Sequence, residues 1–161
     1  MNVPKAIETA VAQMVRKYAE VGAGTVVRPF QSLNFDGSWD ATVDREYPVV
    51  DIRFAPERTD ETQATFVCEG SVLIGTLVQD DKSHEEMGRI YAEVHGVLRD
   101  IFRGFRDEID AAEYNEFKTL IETEVGGTFG IGGITFGEPL APYDAGNANM
   151  IGIGFNVHFS L

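Results

Sequence analysis

The sequence predicts an α+β fold, a mostly antiparallel sheet with helices packed on one face, in the order α-β-β-β-α-α-β-β. Two observations predict it. Apolar residues recur at helical spacing through Met87, Ile90, Tyr91, Val94, Val97, Leu98, Ile101, Phe102 and Phe105. Alternating, strand-like runs lie on both sides of that helix, at 47–54 and 64–79 before it and at 150–161 after it. Consecutive strands flanking a central helix are the α+β pattern, and α/β proteins alternate instead.

The first element is a helix over 4–21. Ile7, Ala10, Val11, Met14, Val15 and Tyr18 share one face, Pro4 opens it, and Gly22 and Gly24 stop it. TVVRPF at 25–30 reads as a short strand, placed at an edge by Pro29. A projecting loop is expected at about 31–45, with Asp36 and Gly37 as a turn between Phe35 and Trp39. In YPVVDIRF, Val50, Ile52 and Phe54 alternate with Asp51 and Arg53, so this strand is half-buried. APERTDETQ is a polar connection to the long strand ATFVCEGSVLIGTLVQ, where Gly70 and Gly75 mark the places for a bulge.

Ser83 and Glu86 form an S-x-x-E capping box at the start of the long helix, and Gly104 weakens its end. An acidic helical insert follows at about 106–124, with Ile109, Tyr114, Phe117, Leu120 and Ile121 on a rough face. The glycine-rich run VGGTFGIGGITFGEP is a strand, joined by a turn to the closing strand MIGIGFNVHFSL. In that strand Ile151, Ile153, Phe155, Val157, Phe159 and Leu161 point one way.

At 161 residues the chain fits a single domain, 1–161, with a core of its own. Acids outnumber bases 26 to 13, for a formal net charge of −13. Such a surface repels nucleic-acid phosphates, so sequence-specific DNA binding is not expected. The longest apolar run falls short of the roughly 20 residues of a membrane span, and the first residues lack the pattern of a secretory signal. Synthesis in the cytosol and no membrane partner are the expectation.

Motifs for chemistry fail in their details. A dinucleotide fingerprint from Gly130 needs a third glycine where Thr135 stands, and no Gly-Lys-Ser or Gly-Lys-Thr occurs for a phosphate loop. Asp36, Ser38, Asp40, Thr42 and Asp44 alternate as calcium ligands do, but Ala41 and Tyr47 replace the glycine and glutamate that loop requires. His84 and Glu85 do not complete a zinc helix, because Gly88 stands where the second histidine belongs. Cys68 is a lone buried thiol, and His95 and His158 are partly buried histidines without an evident partner. No enzyme activity, cofactor or metal is expected.

The layout resembles the tail terminator proteins of long-tailed bacteriophages, also called tail-to-head joining or neck proteins. The resemblance rests on the helix at 4–21, EYPVVDIRF after a long polar loop, the long strand leading into the S-x-x-E helix, and MIGIGFNVHFSL. It implies a virion protein, assembled in the host cytoplasm into a six-membered ring that caps the tail tube and ends its polymerisation. The tube protein and a head-completion or connector protein are the implied partners, and DNA passes through the ring without specific binding. An acidic channel would then repel the genome and keep it from sticking. The insert at 106–124 departs from the simplest family layout. Within the ring, Phe30, Leu33, Phe35 and Trp39 are the expected contact residues, since aromatic side chains in a polar loop suit the centre of an interface. Another tail or head-completion subunit, or a small ligand-binding α+β domain, is the alternative.

Overall fold

The computed structural model describes residues 2–29, 47–62, 64–77, 81–107, 112–138, 140–145 and 148–160. The loop expected at about 31–45 lies outside them. Strands β4 (Thr65–Leu77) and β7 (Ala148–Ser160), each of 13 residues, form the centre of a seven-stranded sheet. They pair antiparallel from Phe66 opposite Phe159 to Leu77 opposite Ala148, with no break in register.

Beside β4 lies β2 (Val49–Phe54), antiparallel, and beyond it β1 (Val26–Pro29), which runs parallel to β2. A three-residue strand, β3 (Arg58–Asp60), pairs with the start of β4. On the other side β5 (Gly130–Phe136) and β6 (Leu140–Ala145) both pair with β7, one after the other. Helices α1 (Val3–Tyr18), α2 (Asp81–Asp107) and α3 (Ala112–Val125) cover one face. The predicted α+β class and helix placement therefore hold. Sequence reading missed β3 inside APERTDETQ and β6 inside the expected turn, because β3 is three polar residues and β6 is interrupted by Pro142, so alternation alone reveals neither.

The pleat explains which residues are inside. Val50, Ile52 and Phe54 of β2, Cys68, Val72 and Ile74 of β4, and Ile153, Phe155, Val157 and Phe159 of β7 all face the helices. Against them α1 lays Ile7, Val11 and Met14, and α2 lays Ile90, Val94, Leu98 and Ile101, each spaced for one helical side. Asn2 caps α1, its side-chain oxygen accepting the Lys5 amide at 3.0 Å. A continuous aromatic column runs Phe66–Phe159–Phe129, with centroids 5.7 and 5.0 Å apart.

Helix α3 is not an appendage. Phe117 and Ile121 are fully buried, and the Phe117 ring meets Phe155 of the sheet edge-on. The segment read as an acidic insert thus closes the core between α1 and α2 through α3, whose acids Glu113, Glu116, Glu122 and Glu124 are not buried.

Two details of the sequence reading are corrected. The long strand has no bulge at Gly70 or Gly75, since those glycines make room for the Phe54 ring and the Met150 side chain. The irregularity falls instead in β5, between Ile131 and Gly133. Helix α2 begins at Asp81, so Ser83 lies in its first turn, buried, and is not the cap; its carbonyl accepts the Thr76 hydroxyl at 3.2 Å. Gly104, expected to weaken the end of this helix, lies in its last turn, and the helix ends at Asp107.

On the face away from the helices, Asp51 is fully buried and takes the Arg28 Nε at 2.7 Å. Arg28 is about a third exposed, whereas the carboxylate has no route to water, so the two partners differ in what their loss leaves behind. Arg28→Ala should cost about 2 kcal/mol, and adding Asp51→Asn should recover part of it. Urea denaturation at pH 7 measures both; equal stability of the single and double variants would show that the charge left on Asp51 is not the source of the loss.

Candidate functional site

The residues able to do chemistry stand apart from one another. His84, at the start of α2, approaches the Asn149 amide at 3.3 Å. His95 lies halfway along α2, stacked between Tyr91 and Phe136, and burial together with nearby Arg99 pushes its pKa down. His158 is on the opposite face of the sheet, 3.4 Å from an Asp60 oxygen of β3. Gly133, its cross-strand partner on β5, lies against the imidazole. No two histidines share a site, and among the described residues no three His, Cys, Asp or Glu side chains are grouped to hold a metal ion.

Cys68 is fully buried on the helix-facing side of β4, and burial is the main reason its thiol is pushed up to about 12. A thiol so rarely ionised is a packing residue, as its strand position suggested. Glu8 is the unexpected group. It sits on the inner face of α1, 3% exposed, and accepts the Phe54 amide at 2.8 Å. Burial raises its pKa to about 7, with the Phe54 hydrogen bond and the Arg53 charge opposing that rise. The helical pattern of α1 hid it, because Glu8 falls beside Ile7 on the apolar side, where a carboxylate is not expected.

A cleft of about 290 Å³ opens where the end of α1 meets α2 and the start of α3. Tyr18, Glu93, Arg99, Asp100 and Glu113 line it with Ala92, Gly96 and Val97. Its walls are mostly polar and its apolar part is small, unlike the apolar pockets that enclose small molecules. Next to it Lys17 and Tyr18 both donate to the Glu116 carboxylate, which ties α1 to α3 and depresses the pKa of Glu116.

What the surface offers is strand edges and an acidic helical layer. The four contact residues expected from the sequence, Phe30, Leu33, Phe35 and Trp39, lie outside the described residues. Exposed large apolar side chains among the described residues are Tyr18, Phe66 and Leu140. Phe66 ends the aromatic column at the rim of the sheet, and Leu140 packs over Gly152 on the face away from the helices. No helix among the described residues is long and apolar enough to cross a membrane. No protein-family model matches the chain, and no curated protein matches it.

Proposed function

We propose that this chain is a structural subunit of a phage tail, a terminator that assembles as a ring on the tail tube, ends its polymerisation and joins the tail to the head. The observation that carries the reading is the architecture. The parts on which the resemblance rests become α1, β2, the long β4 feeding α2, and the long closing strand β7, and they make one continuous sheet-and-helix layer. Two paired 13-residue strands give a stiff body suited to bearing contacts on several sides. Partners on the two sides of the ring would be the tube protein and a head-completion or connector protein. The acids left outside by α2 and α3, among them Glu85, Glu86, Asp100 and Glu124, would keep DNA phosphates from adhering as the genome passes.

A ring requires unlike patches to meet, with a rotation that closes. Native mass over a concentration series, with electron microscopy of large species, tests this. Closed six-fold rings are expected, alone or on added tail tubes. Long stacked tubes would make the chain a tube subunit, and a monomer that ignores tail tubes would sink the ring.

A further inference from the structure

We propose that the open edge of β5 pairs with β5 of a second copy, antiparallel about a two-fold axis at Thr135. The inference starts from how the other edges are closed. Strand β1 is four residues long and ends in Pro29, and its Val27 carbonyl is taken by the Arg16 guanidinium, Nε at 3.0 Å. Past the end of β1, the Phe54 amide of β2 is taken by Glu8. Strand β3 has three residues, two of them the charged Arg58 and Asp60, and β6 carries Pro142 and Asp144. Each of these edges has a feature that discourages pairing with another chain.

Strand β5 has none. Residues 125–137 contain no charged side chain and no proline, in a chain with 26 acids. The Gly137 amide donates to the Gly154 carbonyl at 2.9 Å, which fixes the phase of the β5–β7 ladder. In an antiparallel pair bonding residues alternate, so Thr135 bonds β7 while Ile134 and Phe136 aim N–H and C=O outward. Among the described residues nothing takes those outward groups.

The occupant follows from charge. Two copies, each at −13, repel over most of their surface and approach at least cost along a neutral segment. Among the described edges the others are each discouraged from pairing, so the strand that a second copy offers is its own β5. Pairing about Thr135 sets Ile134 opposite Phe136 of the second copy, each pair exchanging both backbone bonds, and sets the two Thr135 side chains directly opposite each other. Those side chains stand on the exposed face, where two threonines pair favourably and two like charges do not. The contact is strand addition between copies, and it does not depend on ring closure. It joins two single chains, or two rings face to face.

Amide hydrogen exchange at low and high protein concentration, with native mass, tests it. In the associated species the Ile134 and Phe136 amides should slow by at least about tenfold relative to the monomer, while Thr135 changes little. Thr135→Glu, exposed and so compatible with folding, should weaken pairing about tenfold at an unchanged monomer melting temperature. A monomer at every concentration overturns the proposal, as does association that leaves the Ile134 and Phe136 amides exchanging freely. Rings with these amides still free would retain the terminator reading and remove the edge contact; protected pairs that never build rings would do the reverse.

Discussion

Gly70→Ala should destabilise the protein by about 3 kcal/mol or more, a loss large for the addition of one methyl group. Gly70 faces Phe54 across the β2–β4 ladder, and the Phe54 ring lies against the glycine. A Cβ added there would stand 2.3 Å from Cε1 and 2.4 Å from Cζ of that ring. Phe54 is fully buried between α1 and the sheet, so the ring cannot swing out into solvent. It must either leave its rotamer or push β2 away from β4, and the second also strains the Glu8 contact with the Phe54 amide. Covering a strand glycine with an aromatic ring is a known way to make that position pack. Phe54→Leu removes the overlapping ring edge, so it should cost less in the Gly70→Ala background than in wild type. Chemical denaturation of the double-mutant cycle gives the coupling. Additive losses would show that ring and glycine are not the source of the effect.

The same pair illustrates how far the sequence could be read. Alternation placed Phe54 and the long strand, but it assigned Gly70 to a bulge, because a glycine in a strand has two explanations that look alike without knowing the neighbour. Here the neighbour is a ring on another strand, set by register, which is a tertiary fact. Helix α2 was legible since its apolar spacing persists over many turns; its start was not, because Ser83 is buried against Thr76 and so resembles a cap in sequence alone. The acidic segment misled for a related reason. Seven acids between residues 107 and 124 suggest a solvated insert, yet two positions, Phe117 and Ile121, suffice to fix α3 in the core. Strands β3 and β6 carry no pattern beyond their pairing with longer neighbours. As for the site, the glycine run reads as a strand and is one, β5, while its open outer edge emerged only when Arg16, Glu8 and Pro29 were seen to close the edge on the other side of the sheet.

Glu8→Gln should stabilise the protein by about 2 kcal/mol at pH 8 and by almost nothing at pH 4.5. The carboxyl is raised from 4.5 to about 7, chiefly by burial, a displacement corresponding to about 3 kcal/mol between the two protonation states. The folded protein therefore binds more protons than the unfolded chain between those values. A raised folded-state pKa gives stability that is fully present below pH 4.5 and is lost as pH rises through about 7, so wild type weakens across that window from this group. Glutamine keeps an oxygen in place to accept the Phe54 amide and carries no charge to desolvate. Its extra N–H groups need partners, which is why the expected gain is smaller than the full displacement. Urea denaturation of both proteins from pH 4.5 to 8 gives the difference curve directly. It should climb through the window and level off above it; a difference independent of pH would mean that Glu8 is not the group being protonated. Loss of stability in the variant at every pH would instead assign Glu8 a structural task that an amide cannot perform. The residue closes the β2 edge at a cost in stability above neutral pH, and a protein that left that edge open to another chain would gain stability by losing it.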